Sequence, residues 1–76
     1  MEKSNLLKSI GINIKKIIES KGMAQVDLVV KMDGKIDTTN ISRIESGRTN
    51  PTVYTLFRIS QALEVPMSDL VNIELP

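Results

Sequence analysis

Apolar residues recur at helical spacing through most of the chain and divide it into short amphipathic segments. The first predicted helix covers residues 5–21, where side chains three or four positions apart form one apolar face: Ile10, Ile14, Ile17 and Ile18. Gly22 follows as a typical helix stop. A second helix is predicted over residues 25–31, and its expected buried side comprises Leu28, Val29 and Met32.

The segment after the second helix has the composition of a turn. It contains Asp33-Gly34-Lys35, in which the glycine is free to adopt a positive φ. Ile36 is expected to anchor the turn in the core, and Asp37 is expected to cap the helix that follows.

The third predicted helix, which a glycine at position 47 should end, has two chemically different faces. Ile41 and Ile44 lie three positions apart and should point into a core. The other face carries short hydrogen-bonding groups around one guanidinium: Thr38, Thr39, Ser42 and Arg43. A helix this narrow suits the DNA major groove, and arginine is the side chain best suited to guanine O6 and N7. The alternative is an ordinary polar face in contact with water.

Two more helices are predicted after a loop over residues 47–52. Thr52 can cap a fourth helix that ends near residue 63, and its expected buried side comprises Leu56, Phe57, Ile59 and Leu63. Pro66 precedes a short fifth helix over residues 68–71. No repeat or linker interrupts the chain, so we predict an all-α fold, with residues 1–76 forming one compact five-helix domain.

The composition supports a small helical core and argues against several kinds of site. Aromatic residues make up only 3% of the chain, so Ile, Leu, Val and Met must fill the core. With no cysteine, neither a disulfide nor a thiolate metal site can form, which fits a reducing cytoplasm. With no histidine, the usual zinc ligand and the commonest general base are missing. We therefore expect no metal, no cofactor and no enzymatic activity, and the absence of a long apolar run argues against a membrane helix.

Charge is distributed unevenly along the chain. The net charge is only +1, but residues 1–58 contain all ten lysines and arginines against six acidic residues, a net +4. Residues 59–76 contain three acidic residues and no base, a net −3. A basic first part suits contact with phosphate and leaves the acidic end for another role, although ordinary solvated charge fits nearly as well.

Several short motifs occur in an order and spacing that resemble one known family. They are Gly22-Met23-Ala24-Gln25, Ile41-Ser42-Arg43-Ile44-Glu45-Ser46-Gly47, Asn50-Pro51-Thr52 and Ala62-Leu63-Glu64-Val65. With them, residues 10–72 resemble the Xre family of phage-repressor and Cro-type helix-turn-helix proteins, and are similar to small restriction–modification controller proteins. The resemblance implies a helix-turn-helix in which the second helix crosses the DNA backbone and the third enters the major groove.

The resemblance also implies which side chains contact DNA. Base contacts are expected from the polar face of the third helix: Thr38, Thr39, Asn40, Ser42 and Arg43. Phosphate contacts are expected from the start of the second helix, the turn and the loop after the third helix: Gln25, Lys35, Arg48, Thr49 and Asn50. The alternative for Gln25 and Lys35 is a solvated side chain without a phosphate contact.

Three features depart from the family pattern. Ala24 stands where family members usually have Ser or Thr, so the second helix lacks its usual N-cap. Ile18 stands where the family commonly has an arginine paired with the glutamate of the third helix, so Glu45 needs another partner. The turn between the second and third helices is two residues longer than is usual in the family. This could tilt the third helix or bring Lys35 to the DNA backbone.

The size of the domain bears on its oligomeric state. A domain of 76 residues contacts too few base pairs to select one site in a genome, so we expect a homodimer on an inverted repeat of double-stranded DNA. Residues 65–76 are the expected dimerisation end, because they carry more apolar side chains than a short last helix needs: Val65, Met67, Leu70, Val71, Ile73 and Leu75. The alternative is that Leu70 and Ile73 complete the core of the monomer.

The sequence favours a cytoplasmic transcriptional regulator that controls its own operon, as a repressor or as a restriction–modification controller. A bound dimer could block RNA polymerase or contact it from an upstream site, and no residue decides between the two. We expect no membrane and no small-molecule partner. The alternative function is a protein-interaction module, such as an antitoxin subunit, which the low net charge and the missing N-cap favour slightly.

Overall fold

The computed structural model describes residues 1–74, which form five α-helices joined by short loops. The helices are α1 (Lys3–Ser20), α2 (Gln25–Lys31), α3 (Thr38–Glu45), α4 (Val53–Leu63) and α5 (Met67–Leu70). These residues contain no strand, and the predicted all-α, five-helix fold is confirmed. None of these helices is long and apolar enough to cross a membrane.

The two predicted side-chain caps are both present. Asp37 Oδ1 accepts a hydrogen bond from the Asn40 backbone N–H at 2.7 Å, and Thr52 Oγ1 accepts one from the Thr55 backbone N–H at 3.1 Å. Each acceptor satisfies an N–H group that a helix leaves unpaired in its first turn. The caps therefore fix the first residues of α3 and α4 where the sequence predicted them.

The bounds of α2 match the prediction, whereas the ends of α1 and α5 differ from it by one or two residues. α1 begins two residues earlier than predicted, because the Glu2 carbonyl accepts a hydrogen bond from the Leu6 N–H at 3.0 Å. α5 begins one residue earlier, because the Pro66 carbonyl accepts one from the Asp69 N–H at 3.0 Å. Gly22 follows α1 with a φ of 68°, the left-handed conformation predicted for a helix stop.

All five helices contribute to one buried core. Its buried apolar residues are Ile14, Ile18, Leu28, Met32, Ile41, Ile44, Ile59, Leu63 and Leu70. Partly buried side chains that were predicted to be buried pack around it: Ile10, Ile17, Val29, Ile36 and Leu56. The predicted burial of Phe57 is wrong, because this side chain is 40% exposed. Phe57 precedes Ile59 by two positions, about 200° around the helix, and so points away from the face that Ile59 and Leu63 define.

α1 and the end of α3 approach each other closely at two glycines. Gly11 is buried, and a Cβ atom at this position would overlap the backbone carbonyls of Ile44 and Glu45. Gly47 has a φ of 74°, and a Cβ atom there would lie 2.7 Å from the backbone nitrogen of Lys8. The two backbones are therefore in direct contact, and this contact sets the orientation of α3 on the domain.

The last helix is fixed to the first by one apolar and one polar side chain. Leu70 is 0% exposed and completes the core, so its predicted place in a dimer interface is wrong and the alternative, a core position, is correct. The Asn13 side-chain amide donates to the Asp69 and Leu70 carbonyls at 2.7 and 2.9 Å. These bonds satisfy two carbonyls at the end of α5. Leu75, also predicted at the interface, lies outside the described residues.

Candidate nucleic-acid interface

α3 presents a polar face to solvent. The five residues predicted to contact bases are all exposed: Thr38, Thr39, Asn40, Ser42 and Arg43. On the opposite side, Ile41 and Ile44 are only 1% and 5% exposed. The apolar face holds α3 against the domain and leaves the polar face free, which is the arrangement that a groove-reading helix requires.

Gln25, the first residue of α2, is held by two side chains of α3. Its Nε2 donates to Glu45 Oε1 at 2.6 Å, and its Oε1 accepts a hydrogen bond from Ser42 Oγ at 3.1 Å. Gln25 is therefore the partner that Glu45 lacked in the sequence, and a neutral amide replaces the arginine of the family pattern. The same contacts lock the start of α2 to α3.

These contacts leave Gln25 part of its donor capacity. A primary amide has two N–H donors, and one of them is used by Glu45. The second N–H is left for a group approaching from outside, such as a phosphate oxygen. A phosphate contact from Gln25 stays a prediction, and it would require neither of these two hydrogen bonds to break.

Half of the usual N-terminal capping arrangement survives at α2 despite Ala24. The alanine side chain accepts nothing, but Asp27 Oδ2 accepts a hydrogen bond from the Ala24 backbone N–H at 2.7 Å. In a full capping box the side chain at position 24 would also accept a bond from the Asp27 backbone N–H, which here donates to the Ala24 carbonyl at 3.0 Å. The sequence therefore correctly indicated that the N-cap side chain lacks an acceptor, and the Asp27 carboxylate supplies the other interaction of the capping box.

The loop after α3 is tied to the end of that helix. The Arg48 backbone N–H donates to the Arg43 carbonyl at 2.8 Å. Arg48 and Asn50 are exposed, whereas Thr49 is half-buried. The bond therefore links the helix predicted to contact bases with the loop predicted to contact phosphates.

The longer turn between α2 and α3 is built on two consecutive residues with positive φ. Asp33 has a φ of 56° and Gly34 a φ of 68°. The Gly34 N–H donates to the Val29 carbonyl at 3.0 Å, and the Lys35 N–H donates to the Met32 carbonyl at 3.0 Å. This turn leaves Lys35 exposed, on the same side as the loop after α3.

A groove of about 370 Å³ runs between α3, the loop after it and α4, and we call it the α3–α4 groove. Its lining residues are Met32, Lys35, Ile36, Asn40, Ile44, Thr49, Asn50, Pro51, Thr52, Tyr54, Thr55 and Arg58. Four residues predicted to contact DNA are thereby brought together: Lys35, Asn40, Thr49 and Asn50. The other predicted contacts, including Gln25 and Arg48, do not line it.

Tyr54 and Arg58 are groove residues that sequence reasoning did not identify. They lie four positions apart on α4, and their side chains meet, with Arg58 Nη1 3.5 Å from the Tyr54 hydroxyl. The available signal was their spacing, which places both on the face opposite the core position Leu63. Two cations, Lys35 and Arg58, line the groove, and its lining contains no carboxylate.

The described residues hold no cluster of acidic side chains that resembles a metal site. Within residues 1–74, no group of three or more Asp or Glu side chains lies close enough together to hold an ion. The side chains predicted to contact DNA carry amides, hydroxyls and basic groups, all of which can donate hydrogen bonds to oxyanions.

Comparisons with known proteins place the chain in a family. Residues 14–70, which are most of the chain, match the helix-turn-helix family. A relative from Sinorhizobium fredii, the uncharacterized HTH-type transcriptional regulator y4dJ, is 34% identical over 68 residues, spanning 90% of this chain and 86% of the relative.

Two solved structures share the fold. The restriction–modification controller protein C.AhdI from Aeromonas hydrophila superposes with a TM-score of 0.78 at 20% identity, covering 84% of this chain and 94% of the controller protein. The hypothetical transcription factor NHTF from Neisseria superposes with a TM-score of 0.81 at 22% identity, covering 96% of this chain and 82% of that protein. The expected resemblance is confirmed: the chain belongs to the helix-turn-helix family of DNA-binding transcriptional regulators.

Proposed function

We propose that this protein is a sequence-specific regulator that binds double-stranded DNA as a homodimer and controls transcription from its own promoter. The observation that carries the proposal is α3, whose exposed polar face lies opposite two buried isoleucines and includes Arg43. Family membership supports the same assignment. In this proposal α3 lies in the major groove and α2 lies across the sugar–phosphate backbone.

Base readout is assigned to the polar face of α3. Arg43 donates two hydrogen bonds to a guanine, while the shorter side chains on the face make the remaining contacts: Thr38, Thr39, Asn40 and Ser42. Ser42 is already bonded to Gln25, so its contact with a base would also restrain α2. The short side chains let the helix approach the base edges closely.

Phosphate contacts are assigned to both sides of α3. Gln25 donates its free amide N–H on the α2 side, and the other contacts come from the turn and the loop after α3: Lys35, Arg48, Thr49 and Asn50. These contacts position the domain and account for most of the salt dependence expected of binding.

The dimer is assigned to the C-terminal end. Val71 is 45% exposed, and three further apolar side chains there are half-buried: Val65, Met67 and Ile73. Ile12 of α1, which is 52% exposed, lines a shallow groove with Ile73 and extends this apolar surface. Dimeric helix-turn-helix proteins contact half-sites roughly 34 Å apart, one turn of DNA, and we expect the same spacing here.

The regulatory mechanism follows from where the dimer binds. A dimer across the promoter of its own gene excludes RNA polymerase, and one bound just upstream contacts the polymerase and activates transcription. The fold shared with C.AhdI, a restriction–modification controller protein, is the reason that a controller role is included in this proposal. The concentration of dimer in the cytoplasm would set the response.

Selection of bound sequences from a random duplex DNA pool tests the proposal. The expected result is an enriched inverted repeat with two half-sites one helical turn apart. Loss of that enrichment in an Arg43→Ala variant would link the selected sequence to α3. A pool that stays random after selection would contradict sequence-specific binding.

A protein-interaction module is the second candidate, and exposed valines on α2 favour it. Val26 and Val30 lie four positions apart on one face and are 61% and 69% exposed. A module of this kind, such as an antitoxin subunit, would bury this face against a protein partner. Its binding would depend little on salt, whereas DNA binding would weaken steeply as salt is raised.

A further inference from the structure

The α3–α4 groove is lined by basic and polar side chains of α4, Tyr54 and Arg58, to which the proposed function assigns no role. Lys35 and Arg58 bring two positive charges to its lining, and the lining contains no carboxylate to neutralise them. Asn50 and Thr49, from the loop assigned to phosphate contacts, line the same groove. It is therefore a basic concavity directly beside the proposed DNA-binding face.

The guanidinium of Arg58 is available to a ligand. The 3.5 Å separation between Arg58 Nη1 and the Tyr54 hydroxyl is at the long limit for a hydrogen bond, so this contact is weak. A guanidinium has five N–H donors arranged as a planar fork, which matches the oxygens of a phosphate. Most of this donor capacity is left for a group that enters the groove.

Tyr54 presents its hydroxyl next to that guanidinium. Its side chain is 66% exposed, and its ring lies 6.4 Å from the ring of Phe57 at an interplanar angle of 39°. Contact with Phe57 restrains the ring, while the hydroxyl remains free to donate to an oxygen acceptor. Arg58 and Tyr54 can therefore bind two oxygens of the same phosphate group.

We propose that the α3–α4 groove binds a phosphodiester of the DNA backbone, with Arg58 and Tyr54 of α4 as contacts alongside Lys35. This inference rests on the proposed function, because it places the phosphate in the strand that flanks the major groove occupied by α3. It extends the DNA contact from the helix-turn-helix to α4. Free phosphate or a nucleotide has the same chemistry and is the other possible source of the oxyanion.

The test compares salt dependence across matched variants on the duplex that the wild-type protein selects. Arg58→Gln should lower the slope of log affinity against log salt by about 0.9, the contribution of one phosphate contact on duplex DNA. Between 50 and 200 mM salt, wild-type affinity should then fall roughly 3.5-fold more than that of the variant. Lys15→Gln removes an exposed cation of α1 outside the groove and should leave the slope unchanged.

Two further variants separate charge from structure. Arg58→Lys keeps the positive charge and should keep the wild-type slope, although it loses the planar fork. Tyr54→Phe removes a neutral donor, so it should weaken binding about 2- to 10-fold at every salt concentration without changing the slope. Circular dichroism of each variant establishes that the helices are intact.

The outcomes distinguish this site from the proposed function. An Arg58→Gln slope equal to the wild-type slope would overturn the groove site while leaving the regulator intact. Saturable binding of inorganic phosphate or AMP to the free protein, detected at the Arg58 Nε–H by NMR and combined with an unchanged slope, would identify a small anion as the ligand instead. A wild-type protein that binds no duplex would overturn the proposed function and the groove site together.

Discussion

At the scale of single residues, Gln25 and Glu45 show how a departure from the family pattern is accommodated. Ile18 occupies the position of the usual arginine and is buried in the core, so Glu45 instead accepts a hydrogen bond from Gln25. The sequence predicted that Glu45 needed a partner but could not identify it. The partner lies 20 positions away on another helix, and only the packing of α2 on α3 brings the two side chains together.

Ala24 allows a residue-scale test of helix stability. Ala24→Ser should stabilise the protein by about 1 kcal/mol, because the hydroxyl would accept a backbone N–H and complete the capping box with Asp27. Urea unfolding followed by circular dichroism measures the change. Ala24→Val is the matched control and should change little, since valine also supplies no side-chain acceptor and is as poor an N-cap residue as alanine. Equal stability of the two variants would contradict the capping geometry.

Arg43 and Arg48 should have distinguishable effects on DNA binding. Arg43→Ala should weaken the free energy of binding to the preferred duplex by about 1–3 kcal/mol and relax specificity at one base pair. Arg48→Ala should weaken binding to all sequences alike and reduce the salt slope by about 1. Anisotropy titrations against single base-pair variants of the selected duplex measure both effects, and each variant is the control for the other. A uniform loss from Arg43→Ala would remove its assignment to a base.

At the scale of secondary structure, local sequence signals predicted the bounds of the helices well but did not predict the contacts between helices. Asp37, Thr52 and Gly22 predicted where α3 and α4 begin and where α1 ends, because caps and stops depend on neighbouring residues alone. The outward position of Phe57 was missed, since an aromatic residue next to a buried stretch looks like core. The importance of Gly11 was also missed, because it depends on the approach of another helix.

Gly11 provides the test of the contact between α1 and α3. Gly11→Ala should destabilise the protein by about 1–3 kcal/mol, because the added methyl would overlap the carbonyls of Ile44 and Glu45. At an exposed helix position the same change would stabilise by up to about 1 kcal/mol. The sign of the change in unfolding free energy in urea therefore decides whether the two backbones touch. Ser4→Ala, at an exposed position of α1, is the control and should be nearly neutral.

At the scale of the whole molecule, the fold could be predicted and the assembly could not be established. Five segments with apolar residues at helical spacing, together with the order of the motifs, were enough to predict the five-helix architecture. The family match agrees with that prediction. Leu70 was assigned to a dimer although it is buried in the monomer, because the sequence does not distinguish an apolar residue that completes a core from one that meets a second chain. The α3–α4 groove was not predicted either, because four separate segments form it.

Val71 tests the proposed dimer surface. Val71→Asp should raise the dimer dissociation constant at least about tenfold, or 1.4 kcal/mol, because it would bury a charge at the interface. Sedimentation equilibrium measures the constant. Val30→Asp on α2 is the matched control, an exposed valine outside the proposed surface, and should leave dimerisation unchanged. If Val30→Asp dissociated the dimer and Val71→Asp did not, the interface would lie on α2.

The central claim, that α3 and its flanking loops read DNA, is tested most directly by equilibrium anisotropy with the selected duplex and a scrambled duplex of equal length. The measurement is made at 50 and 200 mM salt. We expect the selected duplex to bind at least about 10³-fold more tightly than the scrambled one, and affinity for both to fall steeply with salt. Equal affinities for the two duplexes, or affinities that salt leaves unchanged, would contradict the claim.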